Sequence, residues 1–357
     1  MKVSILTSVY NKEPWLARWF DAVCNQTFKD LEIVVVDNAS TDNCPQIIAE
    51  YAAKDKRIKV VTLKVNKGPT GGLNAAMSHA TGDYWTIADA DDFIDANYVQ
   101  ALYDAIVNGN ADMSMCVNDV VFPDGRTEHK PWPPKGRHVI EGDKAKLLPC
   151  QLLDELNDKY FGFHMPEMGA EWNKMFKRSI VEEWSISFNE NLWIWCDFDF
   201  YLQYVWHAKK VVYITDTVYH FYQSENSITR ATKFNISKLL YVIDALDSIE
   251  KQLKGREFKE LTNAFLKFCF LRIRDVCNEL YYRKQDISQS DYDKVSERLF
   301  HSNPIQKLFN ANDLSFLTAK ERIYLKWVKK GNIKGAVFFE RVCGALSRRI
   351  KKYILNR

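Results

Sequence analysis

Short apolar runs alternate with amphipathic segments through roughly the first 120 residues of the chain. The apolar runs, which are typical of buried strands, are Lys2–Ser8, Leu31–Asp37, Ile58–Lys64, Tyr84–Ala88 and Met113–Val117. The segments between them carry apolar residues at helical spacing and are Pro14–Cys24, Pro45–Ala53, Leu73–Ala80 and Asn97–Val107. Apolar strands that alternate with helices predict an α/β fold, with a mostly parallel sheet covered by helices on both faces.

The pattern changes near residue 230. From Thr232 to the end of the chain the apolar residues keep helical spacing, and no strand-like run occurs. The sequence therefore predicts an α/β domain over residues 1–230 and an α-helical C-terminal region over residues 231–357. No apolar run reaches the length of about 20 residues that a membrane-spanning helix needs.

Polar residues follow three of the predicted strands at the point where each strand ends. They are Ser8 to Asn11, Asp37, and Asp89 to Asp92. Ligands bind at the carboxyl ends of the strands in open parallel sheets. The sequence therefore predicts a ligand site at this edge of the sheet.

The segment Asp89-Ala90-Asp91-Asp92 clusters three carboxylates directly after a strand. Such a cluster repels itself unless a cation or hydrogen-bond donors neutralise it. Hard oxygen ligands suit Mg²⁺ or Mn²⁺, which also keep room for diphosphate oxygens. The alternative is a solvated acidic turn that caps the next helix.

Asp37 and the glycine-rich segment Asn66–Gly72 are candidates for nucleotide contacts. A carboxylate at a strand end can accept a hydrogen bond from a base N–H, which a uracil-like ring offers. The alternative for Asp37 is a turn residue, although Thr41 or Asp42 could cap the next helix alone. Glycines before a helix allow close approach of an anion, but the segment matches neither the P-loop nor the dinucleotide-binding pattern.

Eight segments, taken in order, resemble the family-2 glycosyltransferases of bacterial surface-polysaccharide synthesis. They are SVYN (8–11), VVVDNASTD (34–42), NKGPTGGLNAA (66–76), ATGDY (80–84), DADD (89–92), EWNKMFKRSIVEE (171–183), WCDFDFYLQY (195–204) and VYHFYQSENSIT (218–229). The resemblance covers roughly residues 1–230. It implies the GT-A nucleotide-diphospho-sugar transferase fold over that domain, and an inverting, metal-dependent transferase of a hexosyl or N-acetylhexosaminyl group.

The resemblance also implies a role for individual residues. Nucleotide binding falls to Ser8, Tyr10, Asp37, Asn66 and Asp89, with Asp37 at the uracil and Asp89 on the ribose side. Asp91 would hold Mn²⁺ or Mg²⁺. Because the arginine usual in the last motif is absent, His220 is a further candidate as a metal or phosphate contact, although it could equally be a buried, hydrogen-bonded histidine. Glu171 and Trp172 would lie near the donor sugar or the acceptor, and Asp197 would be the general base, with Asp199 as the second candidate.

Three positions depart from the family pattern. Cys196 stands where the family has the glutamate of an "ED" pair, which removes a charge beside Asp197. Leu73 stands where an arginine often precedes the asparagine, here Asn74, so that a diphosphate or sugar contact is missing or comes from elsewhere. Tyr222 stands near the place of another arginine.

These residues predict a single displacement with inversion of the anomeric carbon. Asp91 and its metal would stabilise the leaving nucleoside diphosphate, and Asp197 would take the proton from a hydroxyl of a glycan or lipid-linked acceptor. One alternative is a polyprenyl-phosphate sugar synthase, whose anionic acceptor needs no base. Another is a non-catalytic glycan-binding scaffold of the same fold.

Charge is distributed unevenly along the chain. Residues 320–357 contain 12 Lys and Arg against two acidic residues, whereas the whole chain carries only +3. Gly335–Arg357 reads as a basic amphipathic helix, which is suited to an anionic membrane surface. We expect a cytoplasmic protein that can lie on the inner face of the membrane, with buried free thiols and no nucleic-acid partner, because no recognition motif accompanies the basic run.

Overall fold

The computed structural model describes residues 1–129, 134–154, 159–163, 165, 169–223, 236–256 and 258–355. The chain divides into two compact units, Met1–Thr232 and Lys233–Arg357. The boundary expected near residue 230, and the SENSIT end of the last motif, lie outside the described residues. The first unit carries the predicted site.

The first unit alternates strands and helices. Its strands are β1 (Val3–Val9), β2 (Leu31–Asp37), β3 (Ile58–Thr62), β4 (Tyr84–Ile87), β5 (Phe93–Ile94), β6 (Met113–Val121), β7 (Thr127–His129), β8 (Arg137–Glu141), β9 (Lys174–Lys177) and β10 (Lys210–Tyr222). Its α-helices are α1 (Glu13–Cys24), α2 (Cys44–Lys54), α3 (Gly68–His79), α4 (Tyr98–Asn108), α5 (Leu148–Leu153), α6 (Arg178–Glu183) and α7 (Cys196–Val205).

One mixed sheet runs through this unit in the order β3-β2-β1-β4-β9-β6-β10-β5, with β7 beside β6 and β8 beside β10. Strands β1 to β4 are parallel, and Val9 at the end of β1 pairs with Asp37 at the end of β2. β9 is inserted antiparallel between β4 and β6. The predicted α/β architecture is confirmed, and the sheet brings the ends of β1, β2 and β4 to one edge.

Helix α1 is anchored to this sheet by large aromatic side chains. Trp19 and Phe20 are almost fully buried, and the indole N–H of Trp19 donates to the carbonyl oxygen of Ala88 at 3.2 Å. Full burial of a large apolar side chain contributes about 2–3 kcal/mol. The bond holds the N-terminal helix against the backbone that leads into Asp89.

Glu32 is a buried charge at the opposite end of the sheet. Its carboxylate accepts from the ammonium group of Lys2 at 2.6 Å and from the Ser4 hydroxyl at 2.6 Å, and it pairs with Lys59 at 2.7 Å. Although burial alone would raise the pKa of Glu32, these donors hold it well below its usual range. The first three strands are therefore joined far from the predicted ligand edge.

The described part of the second unit is helical, as the sequence pattern predicts. Its α-helices are α8 (Ser237–Leu253), α9 (Lys259–Tyr282), α10 (Gln289–His301), α11 (Asn303–Phe309), α12 (Ala319–Lys329) and α13 (Ile333–Leu355). Among the residues described, none of the helices is long and apolar enough to cross a membrane.

Candidate active site

The ends of β1 and β2 are tied to the first turn of α3. The side-chain amide of Asn38 donates to the carbonyl oxygen of Gly68 at 2.7 Å and its oxygen accepts from the Lys67 N–H at 2.9 Å. A Cβ atom at Gly72 would lie only 1.9 Å from the Ser8 Oγ and 2.8 Å from the Ser8 Cβ. Glycine is therefore required for α3 to approach the end of β1 this closely.

The predicted nucleotide residues lie around this junction. Asp37 is 4% exposed, and its Oδ1 accepts from the Ser40 N–H at 3.0 Å. Asp42 caps the neighbouring helices, since it accepts from the N–H groups of Glu13 at 3.1 Å and Cys44 at 3.0 Å. Because Asp42 performs the capping, the remaining acceptor capacity of Asp37 can serve a ligand.

Tyr10 and Asn66 frame the same junction from two loops. Tyr10 directly follows β1 and is 42% exposed, and exposed Asn66 orders the start of α3 by accepting from the Gly68 N–H at 2.8 Å. An aromatic ring and an amide on loops beside a half-buried serine form a surface on which a base and ribose can lie.

The backbone is strained at several of these places. Positive φ angles occur at Asn11 (53°), Ala39 (61°), Asn173 (55°) and Trp195 (62°). Each of these residues is next to, or two positions from, a residue that the sequence assigns to the site. Strain of this kind persists where the surrounding structure fixes it, and it often marks functional loops.

Asp92 anchors the acidic turn after β4 and is itself 1% exposed. It accepts from the Tyr219 hydroxyl at 2.6 Å and from the Tyr222 N–H at 2.7 Å. The Asp89 N–H also donates to the Tyr219 oxygen at 3.3 Å. Asp92 thus fixes the turn to β10, while Asp89 and Asp91 remain partly exposed at the edge.

Asp91 is in contact with two basic residues of the N-terminal segment. The Lys12 ammonium group forms an ion pair with its carboxylate, and the Arg18 guanidinium donates to its backbone oxygen at 2.9 Å. The Arg18 group also lies over the rings of Phe93 and Tyr222, 4.7 and 4.9 Å from their centroids. Sequence reasoning missed both basic residues.

The fold brings Asp89, Glu171 and Asp197 together as one group of interacting carboxylates. Burial and the charges of Asp91 and Asp197 raise the pKa of Asp89 to about 7, against the opposing charge of Lys12. Burial, Asp89 and Asp197 raise the pKa of Glu171 well above its usual value. Residues far apart in the chain therefore converge on one acidic site.

Burial also raises the pKa of Asp197, and hydrogen bonds oppose this shift. One of them comes from the Phe198 N–H at 2.9 Å, and the nearby charge of Lys174 acts in the same direction. Lys174 is fully buried and donates to the Ala170 oxygen at 2.7 Å and the Asn173 Oδ1 at 2.8 Å. The positive charge of buried Lys174 thus partly offsets the negative charge of the acidic group.

Asp199 has different surroundings from Asp197, although both lie in the first turn of α7. It is 2% exposed, and its Oδ2 accepts from the Gln203 side chain at 3.0 Å. Asp197 is half-buried, and its charge acts on Glu171. The arrangement favours Asp197 over Asp199 as the residue that faces the site.

Trp172 supports the site from the core. It is 6% exposed and stacks on the rings of Tyr219 and Phe221, with centroids 4.9 and 5.4 Å apart. A ring buried in this way positions its neighbour Glu171 and the Tyr219 hydroxyl. The ring of Trp172 belongs to the core beside Glu171, and its expected position near the donor sugar or the acceptor stays a prediction.

His220 lies next to the end of the acidic turn, where it pairs with Phe93 across β10 and β5. Its Nε2 is 3.1 Å from the Asp95 Oδ1 and its Nδ1 is 4.0 Å from the Asp119 Oδ2, and its ring stacks on Phe93. Successive side chains of a strand point to opposite faces of the sheet, and it is the preceding Tyr219 that bonds to Asp92. The contacts of His220 match the hydrogen-bonded alternative, and its role as a metal ligand stays a prediction.

The donor set at the edge suits a hard divalent cation. Asp89 and Asp91 offer carboxylate oxygens, and the ion pair with Lys12 shows that Asp91 accepts a cation. Within the described ranges, no group of three or more His, Cys, Asp or Glu residues could hold a metal without other ligands. Such a cation would therefore need further oxygens, which water alone or a diphosphate can supply.

The sequence matches a known protein family over half of its length. Residues 4–182 match the family described as "Glycosyl transferase family 2". Glycosyltransferase GlyA of Streptococcus pneumoniae is 36% identical over 114 residues, which are 32% of this chain and 16% of that protein. Poly(ribitol-phosphate) beta-glucosyltransferase of Bacillus spizizenii is 23% identical over 354 residues, 96% of this chain and 50% of that protein. The chain thus spans half or less of the length of these relatives.

A solved structure resembles nearly the whole chain. The crystal structure of S. aureus TarS 1-349 in complex with UDP-GlcNAc superposes with a TM-score of 0.71 at 18% sequence identity, covering 96% of this chain and 91% of that one. Likeness at this identity shows the fold. The expected GT-A fold with an α-helical C-terminal region is confirmed.

Proposed function

Because the chain belongs to glycosyl transferase family 2, we propose that it is an inverting glycosyltransferase that moves a sugar from a UDP-sugar to a hydroxyl group of a glycan or lipid-linked acceptor. The observation that carries the proposal is the convergence of Asp89 and Asp91 with Glu171 and Asp197. One part of this acidic group can serve the leaving diphosphate and the other can accept a proton.

The donor nucleotide would bind at the junction of β1, β2 and α3. Asp37 would accept a hydrogen bond from the uracil N–H, with Tyr10, Ser8 and Asn66 around the base and ribose. The TarS structure that shares this fold was determined with UDP-GlcNAc, which supports a UDP-sugar as the donor.

Asp91 would hold Mn²⁺ or Mg²⁺, with Asp89 beside it on the ribose side. The cation would supply Lewis-acid stabilisation of the charge that develops on the leaving diphosphate. Asp92 keeps the turn in place through Tyr219 and Tyr222, so that Asp91 stays aimed at the edge of the sheet.

Asp197 would act as the general base on the acceptor hydroxyl. Its raised pKa makes it a better proton acceptor than an ordinary aspartate. Glu171 beside it would contact the acceptor or the donor sugar. A base of this kind is needed for a hydroxyl acceptor and unnecessary for a phosphate acceptor, which favours this activity over polyprenyl-phosphate sugar synthesis.

The acceptor would belong to cell-surface polysaccharide synthesis. A relative that aligns with 96% of this chain is named poly(ribitol-phosphate) beta-glucosyltransferase. A polyol-phosphate chain or a related lipid-linked glycan offers free hydroxyl groups to Asp197, and so belongs in the first acceptor panel.

The proposal is tested by release of UDP from a panel of UDP-sugars with Mn²⁺, with and without candidate acceptors. We expect one UDP-sugar to be consumed, and Asp91→Asn or removal of the metal with EDTA to slow this by a factor of about 100 or more. UDP should bind more tightly than GDP because of Asp37. Full activity in excess EDTA would refute the metal role, and equal affinity for GDP would refute the role of Asp37.

A further inference from the structure

Lys12 forms an ion pair with the side-chain carboxylate of Asp91. The two side chains form a direct ion pair, and they are 31% and 18% exposed. The same ammonium group lies 5.7 Å from the centroid of the Trp15 ring. A positive charge therefore already occupies the carboxylate that we assign to the metal.

The backbone of Lys12 is fixed, whereas its side chain is partly exposed. The Lys12 N–H donates to the Cys44 sulfur at 3.2 Å, and its carbonyl oxygen accepts from the N–H groups of Trp15 and Leu16 at 3.0 Å. Any movement of the charge must therefore come from the side chain. A lysine side chain is a flexible stem that ends in a compact point charge, so it can pair with either of two nearby anions.

Arg18 has a more rigid position than Lys12. Its guanidinium is held by two aromatic rings and by the backbone oxygen of Asp91. It therefore fixes the turn without occupying the Asp91 carboxylate. Of these two basic residues, Lys12 is the one whose release would expose that carboxylate.

The charges at the site favour an exchange of the Lys12 ammonium group for a divalent cation at the Asp91 carboxylate. An ammonium group and a divalent cation compete for the oxygens of Asp91, since both need close contact with them. A nucleoside diphosphate brings new negative charge to the same edge. An ammonium group released from Asp91 would find its next partner there.

We infer that Lys12 is an exchangeable counter-cation of Asp91, which turns to the diphosphate of the donor when a divalent cation takes its place on the carboxylate. The inference rests on the proposed function, because it assumes a metal at Asp91. It assigns to Lys12 both competition with the metal and direct binding of the nucleotide. Loss of the Lys12 charge should therefore raise the affinity for the metal and lower the affinity for the nucleotide.

Lys12→Met separates the two roles by calorimetry. Titration of Mn²⁺ alone should show about fivefold tighter binding in the variant, because the competing charge is gone. Titration of UDP at saturating Mn²⁺ should show binding weaker by about fivefold or more, because a charged partner of the diphosphate is lost. Lys12→Arg should restore most of the UDP affinity.

The exposed Lys56 supplies the matched control, since Lys56→Met makes the same change in net charge and should alter neither affinity. Suppose that UDP binding by the wild type depends on Mn²⁺. The inference is then overturned if Lys12→Met leaves the affinity for Mn²⁺ unchanged or lowers it. If UDP binding by the wild type depends neither on Mn²⁺ nor on Asp91, as tested with Asp91→Asn, the metal role in the proposed function fails first. Thermal unfolding of each variant identifies one that has not folded.

Discussion

Two aspartates that are two positions apart on α7 have different chemical capacities. Asp199 is fixed by Gln203 inside the protein, whereas Asp197 belongs to the acidic group with Glu171 and Asp89. A carboxylate can serve as a general base only when the reacting hydroxyl can reach it. At the scale of single residues, access decides the role more than residue type.

Replacing Asp197 by Asn should therefore slow transfer strongly without affecting donor binding. Loss of a general base costs a factor of about 100 to 10,000 in rate, while the affinity for UDP should stay within about twofold of the wild type. Steady-state transfer and UDP calorimetry on the same sample measure both. Asp199→Asn is the matched control and should retain transfer; the reverse result would identify Asp199 as the base.

The pH dependence of transfer should reflect the raised pKa of Asp197. The groups that face it are Glu171, Asp89 and Lys174, and burial is the main cause of the shift. Because the base must be ionised, kcat/KM should fall on the acid side at a pH above the ordinary aspartate value of about 4. Coupled carboxylates titrate as a group, so the profile gives an apparent value. An acid limb at or below pH 4 would contradict this expectation.

At the scale of elements, the packing of α3 on β1 shapes the nucleotide site. The helix begins at Gly68, five residues before the predicted start at Leu73. Glycine usually disfavours a helix, but close packing on Ser8 compensates for this preference. The glycine-rich segment therefore forms the first turns of the helix.

Gly72→Ala should displace α3 and weaken UDP binding, because the new methyl group would overlap Ser8. Overpacking of this kind costs about 1–3 kcal/mol of folding free energy. Chemical denaturation and UDP calorimetry measure the two effects. The double variant with Ser8→Gly removes the clash and should recover the stability; no recovery would mean that another contact is responsible.

The sequence predicted most elements of the β1–β4 region within a few residues, because buried parallel strands are continuous apolar runs. It did not predict β9, whose residues Lys174–Lys177 mix apolar and charged side chains. It also gave no sign of the Lys12–Asp91 pair, since contacts between residues this far apart in the chain leave no local pattern. The contacts of His220 with Asp95 and Phe93 could not be predicted from the motif alone.

At the scale of the whole molecule, the basic C-terminal helix divides into two parts. Ile333, Ala336 and Val337 are buried, whereas Phe338 and Val342 are 58% and 40% exposed. The side chains of the tail prediction from Ala345 onward lie outside the described residues. The first turns of α13 thus belong to the helical unit, and a membrane role would fall to the later part.

A chain ending at Gly344 tests this role while it keeps the buried turns of α13. The deleted segment contains five Lys and Arg residues, and each is worth about 1 kcal/mol near an anionic leaflet. We expect the full chain to sediment with anionic vesicles at low salt and the shortened chain to remain in the supernatant. A full-length variant with Gln at Arg348, Arg349, Lys351 and Lys352 separates the effect of charge from that of length. Equal sedimentation of the full chain, the shortened chain and this variant would mean that the tail has a structural role and does not bind the membrane.

Cys196 offers a chemical route to selective inhibition. Its thiol directly precedes Asp197 and is half-buried, at the position where the family has a glutamate. Burial and the charges of Asp197 and Glu171 raise the pKa of this thiol, so it reacts slowly with ordinary alkylating reagents. In the proposed donor site, a UDP-sugar analogue with a weak electrophile on its sugar would overcome this by bringing the electrophile to the acidic group beside the sulfur. It would form a covalent bond here, and relatives with a carboxylate at that position would be spared.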